Sequence, residues 1–367
     1  MKYKITLIPG DGVGPQVIEA ALICLDALEV DLEWEIKQAG EVALNKYGKL
    51  LPEDTLEAIK RNKIALKGPI TTPIGKGFRS VNVAIRQIFD LYVCLRPVKT
   101  FTVPKVFHKN IDIIIIRENT EDLYAGVEFQ EGTSEVQEVI KTINFFSEKK
   151  VREDSAISIK PISRFASERI ARFAFNYALK NNRKKISCVH KANIMKYTDG
   201  LFLDSLSKVA REFEGKVEFN DVIVDNLCMQ LTMRPQNFDI LVLPNLYGDI
   251  ISDLGAGLIG GLGVAAGANI GDEIAVFEPT HGSAPKYAGK NKVNPMATIL
   301  SAALMLKHLG EDKKALILER AVKDVAEEGK TVTYDLMLDR NDPKAVGTKE
   351  TAEAIAKRIK KLLNGHK

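Results

Sequence analysis

The sequence has little cysteine, and the cysteines it has are poorly placed for joint chemistry. Its four cysteines among 367 residues, Cys24, Cys94, Cys188 and Cys228, lie far apart and form no CxxC pair. This spacing argues against a zinc site. It predicts reduced, mostly buried thiols in a reducing compartment, so we expect a cytoplasmic protein.

The net charge is also small, and long apolar runs are few. The net charge of +4 comes from 52 basic and 48 acidic residues, which is too small an excess to indicate nucleic-acid binding. The first apolar run stops at Pro9-Gly10, too early for the core of a signal peptide. Residues 254–271 are uncharged, but seven of these eighteen are glycines, so we expect a packed helix and loop and not a membrane span.

Short apolar runs alternate with helical patterns along the chain. Strands are predicted at Lys4–Ile8, Leu32–Lys37, Ile64–Lys67, Ile111–Ile116, Lys185–Val189 and Ile240–Leu243, and helices at Pro15–Leu28, at Pro52–Asn62 and from Ser163 onward. This alternation predicts an α/β fold with a largely parallel sheet. Val136–Ile143 and Ala156–Lys160 are predicted as two strands without a helix between them, forming a small protruding sheet at a dimer contact.

The segment Gly10–Gly14 (GDGVG) follows a predicted strand and opens a helix, like a dinucleotide-binding turn. Pro15 stands where the third glycine or alanine of that fingerprint is needed. We therefore interpret the segment as a tight strand-to-helix turn and expect the cofactor contacts elsewhere.

Two arginines follow a predicted helix start. Ser80 and Asn82 open this helix, and Arg86 lies one turn after Asn82 on the same face. A helix N-terminus favours anions, and arginine binds carboxylates through two parallel hydrogen bonds. Arg96 precedes Pro97, where we expect the helix to have ended, so that Arg96 can turn inward. The competing interpretation is a solvated helix with ordinary surface arginines.

A third arginine stands at the end of a buried strand. Arg117 ends the run IDIIIIR, and ligands of α/β sheets collect at the carboxyl ends of strands. Tyr124 follows on the connecting loop. A salt bridge from Arg117 to Glu118 or Glu121 is the alternative.

Two aspartates in an apolar segment suggest a metal site. Asp249 and Asp253 lie one turn apart on one predicted helix face, where like charges repel unless something neutralises them. All-oxygen ligands favour Mg²⁺ or Mn²⁺. Asp225, after the apolar run VIV, is a candidate third ligand. Asp249 as a helix N-cap is the alternative, but it does not explain Asp253.

The segment Phe277–Pro295 is rich in glycine, proline and small polar residues, and it contains His281, Lys286 and Tyr287. Such a loop can wrap around a nucleotide. Composition alone indicates only an ordered loop.

Together these segments resemble the β-decarboxylating dehydrogenases, the family of isocitrate, 3-isopropylmalate, homoisocitrate and tartrate dehydrogenases. The resemblance extends from GDGVGP to the TVTYD of Thr331–Asp335, and NLYGDIISDLGAGLIGGLG carries it most specifically. It implies the α/β fold of this family, which is not a Rossmann fold. It also implies a large domain from residues 1–92 and 260–367, a small domain of residues 93–259 with a dimer clasp at about 122–165, and a homodimer with shared active sites.

The resemblance assigns roles to the candidates. Arg86, Arg96 and Arg117 match the substrate arginines, and Asp249 and Asp253, with Asp225 of the neighbouring subunit, match the metal ligands. Tyr124 and Lys196 match the acid–base pair. Lys196, with help from Asp225, would accept the substrate hydroxyl proton, and Tyr124 would help to protonate the enolate left by loss of CO₂.

The implied substrate depends on Ser80 and Asn82. An isopropylmalate enzyme needs apolar residues at the start of this helix, whereas these polar side chains suit a third carboxylate, as in prokaryotic isocitrate dehydrogenases. We therefore expect isocitrate as the substrate. Homoisocitrate stays an alternative, since one methylene changes binding by only about 1–3 kcal/mol.

The resemblance implies NADP as cofactor, with NAD as the alternative. Lys286 and Tyr287 stand where NAD-using members carry Asp-Ile, although Leu338 occupies a position where a further arginine is expected, and Arg340 is the candidate substitute. The implied cofactor contacts are Thr72, Asn193, Gln230, Arg234, Glu278, His281, Gly282, Ala284, Lys286, Tyr287, Asn294, Tyr334 and Asp335.

A non-catalytic regulatory subunit of a hetero-oligomeric dehydrogenase is the remaining alternative. Such subunits usually lose a metal ligand or the Tyr–Lys pair, and this sequence has all of them.

Overall fold

The computed structural model describes residues 2–71, 80–101, 106 and 108–365. Thr72, one of the predicted cofactor contacts, lies outside these residues. In the part of the chain that is described, no helix is both long enough and apolar enough to span a membrane.

The described residues form twelve strands. They are β1 (Tyr3–Ile8), β2 (Leu32–Ile36), β3 (Ile64–Lys67), β4 (Val93–Lys99), β5 (Asp112–Glu118), β6 (Glu128–Phe129), β7 (Ile157–Ser158), β8 (Lys185–His190), β9 (Glu218–Ile223), β10 (Ile240–Leu243), β11 (Ala266–Ile270) and β12 (Ala275–Pro279).

Helices connect and cover these strands. The α-helices are α1 (Gly14–Asp26), α2 (Glu41–Tyr47), α3 (Glu53–Asn62), α4 (Val81–Ile88), α5 (Ser134–Phe146), α6 (Arg164–Lys180), α7 (Thr198–Arg211), α8 (Val224–Met233), α9 (Asn245–Leu258), α10 (Met296–His308), α11 (Asp312–Glu328) and α12 (Thr348–Asn364). Single 3₁₀ turns lie at Asp122–Ala125, Pro235–Asn237, Leu262–Val264 and Pro285–Tyr287.

Ten strands form one sheet in the order β2-β1-β3-β12-β11-β4-β5-β10-β8-β9. The outer strands on each side pair in parallel, as predicted, but β4 and β11 pair antiparallel with their neighbours in the centre. Residues 271–274 join β11 to β12, and so short a connection cannot make the crossover that parallel neighbours need. The sheet is therefore mixed, and the α/β class is confirmed.

The sheet runs without interruption across both predicted domain boundaries. β11, from the predicted large domain, pairs with β4, from the predicted small domain. The division into residues 1–92 and 260–367 against residues 93–259 stays a prediction.

The predicted strand Val136–Ile143 is wrong, because these residues lie in helix α5. Thr133 caps this helix by accepting a hydrogen bond from the backbone N–H of Val136 at 3.3 Å. Val136 and Ile140 are buried, one helical turn apart. Part of the second predicted strand is confirmed, since Ile157–Ser158 pairs antiparallel with Glu128–Phe129.

The turn at Gly10–Gly14 is a tight strand-to-helix connection, as predicted. Gly12 has a φ of +59°, and a Cβ atom there would lie 2.1 Å from the carbonyl oxygen of Ser283. Only glycine allows this contact. The turn thereby packs against the loop that carries most of the predicted cofactor contacts.

Candidate active site

Polar side chains from neighbouring strands project from one face of the sheet at its centre. Cys94 pairs with Arg117 on one side and with Asn269 on the other, so these three side chains project in the same direction. Arg96 lies two residues after Cys94 and projects to the same face. The strand register therefore brings two of the predicted arginines together.

Arg117 is almost fully buried under the start of α9. Its Nε donates to Oδ1 of Asn245 at 2.8 Å, and its Nη1 donates to Asp249. The guanidinium lies 4.8 Å from the ring centre of Tyr124. The alternative salt bridges to Glu118 or Glu121 are absent among the described ion pairs.

Gly248 gives Arg117 the space that it occupies. A Cβ atom at Gly248 would lie 2.5 Å from Cγ of Arg117, whereas a Cβ atom at Gly257 on the same helix would meet nothing within 4 Å. We expect Gly248→Ala to lower the free energy of unfolding by about 1–3 kcal/mol through overpacking. Gly257→Ala should leave it unchanged or raise it by up to about 1 kcal/mol.

Urea denaturation followed by circular dichroism measures both changes. Equal stability of Gly248→Ala and the unmodified chain would show that Arg117 moves aside without cost.

Arg86 and Lys67 enclose a buried carboxylate. Glu278 is bound at 2.6 Å by Nζ of Lys67, at 3.1 Å by Nη2 of Arg86 and at 2.7 Å by Nδ2 of Asn269. Burial raises the pKa of Glu278, but the charges of Lys67 and Arg86 outweigh it and hold the pKa well below its ordinary value. Glu278, a predicted cofactor contact, thus lies among the arginines that were predicted to bind the substrate.

Arg96 is held by contacts that the sequence did not indicate. Its Nε donates to Sγ of Cys94 at 3.2 Å, and its Nη1 donates to the hydroxyl of Thr280. A Cβ atom at Gly267 would lie 3.1 Å from the guanidinium carbon, so this glycine leaves room for Arg96. Arg96 turns inward as predicted, although it lies on strand β4.

The cluster has unused hydrogen-bonding capacity. Nε of Arg86, Nη2 of Arg117 and Oδ1 of Asn82 are buried and have no hydrogen-bond partner among the described residues. Buried guanidinium nitrogen atoms without acceptors are costly, and native sites usually supply a ligand or water for them. Ser80 lies immediately before α4, and its side chain makes no capping hydrogen bond there. The cluster can therefore take up a ligand with several carboxylates.

Asp249, Asp253 and Tyr124 border the arginines. Burial raises the pKa of Asp249, but Arg117 and the Tyr124 hydroxyl, which donates to it, outweigh burial and lower it. Burial, and then the charge of Asp249, raise the pKa of Asp253. Asp249 thus disfavours the ionisation of Asp253, one turn away on α9, and such a pair of carboxylates fits a hard divalent cation. They are not at the helix start, so the N-cap alternative for Asp249 is wrong.

The remaining acid–base and metal candidates, together with three of the cofactor candidates, lie farther along the sheet. Some of them follow β8, and the others lie on α8 or directly after it, next to β9. In the sheet, β8 is two strands away from β5. Asp225 is exposed and pairs with Lys191. Among the described residues, no three histidine, cysteine, aspartate or glutamate side chains converge as a metal site. The candidates in this part of the sheet are Asn193, Lys196, Asp225, Gln230 and Arg234.

The loop after β12 and the connection between α11 and α12 bring basic and tyrosine side chains together. The rings of Tyr287 and Tyr334 are 6.3 Å apart, and Nζ of Lys286 lies 4.9 Å from the Tyr287 ring centre. Lys292 and Arg340 lie 4.9 and 5.3 Å from the Tyr334 ring centre. Arg340 thus lies beside Tyr334, and its substitution for the missing arginine at Leu338 stays a prediction.

The other predicted cofactor contacts lie beside this cluster. Nδ2 of Asn294 donates to Asp335 at 3.0 Å. His281 contacts the carbonyl oxygen of Gly282 at 3.0 Å, its buried Nε2 has no partner among the described residues, and burial lowers its pKa. Ala284 adopts a left-handed backbone with a φ of +38°. The loop therefore combines a neutral imidazole with cations.

Comparison with known proteins shows the family of this chain. Residues 4–355 match the family described as isocitrate/isopropylmalate dehydrogenase. The chain belongs to the isocitrate/isopropylmalate dehydrogenase family. The fold predicted from the sequence resemblance is thereby confirmed.

Individual members of the family are similar over nearly their whole length. The NADP isocitrate dehydrogenase of Archaeoglobus fulgidus is 46% identical, over 98% of this chain and 93% of the relative. A regulatory subunit of the mitochondrial NAD isocitrate dehydrogenase of Dictyostelium discoideum is 44% identical, over 91% of this chain and 87% of the relative. A crystal structure of isocitrate dehydrogenase from Methylococcus capsulatus has a TM-score of 0.88 at 46% identity, covering 98% and 99% of the two chains.

Sequence reasoning missed several residues of this candidate site. Lys67, Cys94, Asn245 and Thr280 hold the arginines or their partner carboxylate, and Lys292 joins the tyrosine cluster. Lys67 had a detectable signal, since a lysine that ends a buried strand directly before Gly-Pro is unusual. The others depend on contacts between distant segments and had none.

Proposed function

We propose that this chain catalyses the oxidative decarboxylation of isocitrate to 2-oxoglutarate and CO₂ with reduction of NADP, in the presence of Mg²⁺ or Mn²⁺. The observation that carries the proposal is the buried cluster of Arg86, Arg96 and Arg117 beside Asp249 and Tyr124, with unused donors on Arg86 and Arg117. The names and similarity of the relatives support it.

The substrate would bind through charge-assisted hydrogen bonds. Arg86 and Arg117 have free buried nitrogen atoms for carboxylate oxygens, and these bonds are roughly twice as strong as neutral ones. The Ser80 hydroxyl, at the positive N-terminal end of α4, would take the third carboxylate. An isopropyl group would leave these polar groups without partners.

The proton transfers would be made by Tyr124 and Lys196. Burial and then the Asp249 contact raise the pKa of Tyr124, so the hydroxyl stays protonated at neutral pH and can donate to the substrate carbon after CO₂ loss. Lys196 is exposed, and we propose that it accepts the substrate hydroxyl proton in the active site of a second copy of the chain.

The divalent cation would be held by Asp249 and Asp253, with Asp225 of a second copy as third ligand. When bound, it supplies a Lewis acid that withdraws electrons from the substrate oxygen. Asp249 has a lowered pKa and is ionised at neutral pH, as such a ligand must be. Asp225 also has a lowered pKa, because Lys191 binds it.

A homodimer would complete the site. Exposed apolar side chains lie near Lys196 and Asp225 in the sequence, and both residues are distant from the arginine cluster. Ile194 and Tyr197 flank Lys196, and Met229 and Met233 lie on α8, with exposed fractions of 69%, 92%, 47% and 57%. Covering them with a second copy would bury apolar surface and bring Lys196 and Asp225 to the partner's cluster.

NADP supplies the hydride acceptor when bound, and Lys286, Tyr287, Tyr334 and Arg340 would bind its 2′-phosphate. Their mutual contacts support a joint anion site.

The three buried cysteines and the absence of disulfides among the described residues support a reducing, cytoplasmic location.

Turnover of the purified chain tests the proposal. We expect NADPH formation with isocitrate and Mg²⁺, loss of it with EDTA, and a kcat/KM for homoisocitrate that is lower by about tenfold or more. 3-Isopropylmalate should give no measurable rate. Turnover with NAD equal to that with NADP would contradict the cofactor assignment.

A regulatory subunit is the second candidate, favoured by the similarity to the Dictyostelium protein. The presence of Tyr124, Lys196 and the three aspartates argues against it. The same assay separates the two, because a regulatory subunit has no isocitrate-dependent turnover by itself.

A further inference from the structure

A second group of buried charges surrounds the ammonium of Lys160, away from the arginine cluster. Nζ of Lys160 lies 2.6 Å from Oδ1 of Asp199 and 3.8 Å from Oδ1 of Asp122. Both aspartate side chains are fully buried, and that of Lys160 is 14% exposed. Removal of this ammonium would leave two buried carboxylates without a neighbouring cation, which strongly destabilises their arrangement.

Asp122 holds the turn that carries Tyr124. It begins the 3₁₀ turn Asp122–Ala125 with a left-handed φ of +68°. Its Oδ2 accepts a hydrogen bond from the backbone N–H of Leu246 at 2.8 Å, and its Oδ1 accepts one from Leu123 at 2.8 Å. Leu246 is in the first turn of α9, where backbone N–H groups lack helical partners. Asp122 thereby joins the Tyr124 turn to the helix that carries Asp249.

Asp199 holds the segment that carries Lys196. Its Oδ2 accepts from the backbone N–H of Lys191 at 2.7 Å, and its own N–H donates to the carbonyl oxygen of Met195 at 3.1 Å. Nζ of Lys160 also lies 3.8 Å from the sulfur of Met195. Residues 191–199 are therefore closed around Asp199 and Lys160, with Lys196 on the outer, exposed side.

Tyr247 attaches helix α9 to the same group. Nζ of Lys160 lies 4.6 Å from its ring centre, in cation–π contact. Tyr247 lies two residues before Asp249, so all three segments meet at Lys160.

We propose that Lys160 is a positioning residue that fixes the Tyr124 turn, the Lys196 segment and the start of α9 relative to one another. This inference rests on the proposed function, in which Tyr124 and Lys196 transfer the protons. Lys160 acts through Asp122 and Asp199 and has no contact with the arginine cluster in the described structure. Because Lys196 serves the partner's site, Lys160 also links the two active sites of a dimer.

Steady-state kinetics of the full-length Lys160→Met variant test this role. We expect kcat to fall by about ten- to a hundredfold, since a misplacement of about 1 Å costs up to that much. KM for isocitrate should change by less than about threefold, because the arginines keep their contacts. The acid–base limb of the kcat–pH profile should move, and Lys160→Arg should restore most of kcat.

Lys307→Met is the matched control. Lys307 forms a partly buried ion pair with Glu319 at 2.5 Å, on the helices α10 and α11. Its replacement should leave kcat, KM and the pH profile unchanged. A kcat for Lys160→Met within twofold of the control, or a parallel loss of kcat and stability that Lys160→Arg does not restore, would overturn the proposal.

Hydrogen–deuterium exchange gives a readout that does not depend on activity. Lys160→Met should speed exchange at residues 121–126 and 191–199, and Lys307→Met should not. Absence of isocitrate turnover in the unmodified chain would contradict only the proposed function. The exchange result would still test whether Lys160 fixes the Tyr124 turn and the Lys196 segment. If Lys160→Met does not fold, Lys160→Gln replaces it, with faster exchange at 191–199 expected and unchanged exchange contradicting the proposal.

Discussion

Replacing Asp249 by asparagine is expected to lower kcat for isocitrate oxidation on the order of a thousandfold. A bound cation contributes several kcal/mol of charge stabilisation, and each about 1.4 kcal/mol corresponds to tenfold in rate. Asp249 has a lowered pKa and so offers a full negative charge to the cation. The asparagine keeps an oxygen for Arg117 or Tyr124 but loses that charge.

Titration with Mn²⁺ separates cation binding from catalysis. We expect Asp249→Asn to lose the rise in Tm that Mn²⁺ gives the unmodified chain, while folding normally without the cation. Asp204→Asn, on the exposed side of α7, is the control and should behave like the unmodified chain. Undiminished Mn²⁺ stabilisation in Asp249→Asn would mean that the cation binds elsewhere.

Exchanging Lys286 for aspartate together with Tyr287 for isoleucine is expected to reverse the cofactor preference. kcat/KM for NADP should fall on the order of a hundredfold, the size expected when a charge-assisted contact becomes a like-charge contact. The double change also removes the Tyr287 ring from Tyr334. kcat/KM for NAD should stay level or rise, because NAD has no 2′-phosphate to repel.

Lys290→Asp controls for the charge change, since Lys290 is an exposed lysine on the same loop. Its NADP to NAD ratio should stay within about twofold of the unmodified chain at moderate salt, where separated surface charges are screened. If the double variant still preferred NADP, the 2′-phosphate would have to bind to other cations, with Arg340 as the first to examine.

Local patterns in the sequence were sufficient for several predictions. The buried run before Arg117 predicted its strand, and the one-turn spacing of Asp249 and Asp253 predicted their common helix face. Both predictions depend on the side-chain periodicity of one strand or one helix, which can be recognised in the sequence without knowledge of the neighbouring elements. The alternating apolar runs also predicted the α/β class for the same reason.

The same local approach failed at Val136–Ile143. Its apolar residues suit a strand, but Val136 and Ile140 also fit one face of a helix, and the Thr133 cap decides between the two. Short apolar runs leave this ambiguity open. Glu278 was predicted only as a cofactor contact, because no sequence signal revealed its contacts with Lys67 and Arg86.

The sequence by itself determined the candidates for the chemistry, which are arginines and aspartates whose types and local spacing suit a polycarboxylate and a divalent cation. Only the tertiary structure decided how these residues are held. Arg117 meets Asp249 because β5 and β10 are parallel neighbours and α9 follows β10. Lys160 joins three segments that are distant in sequence. Such contacts arise from strand register and helix packing, which no local period encodes.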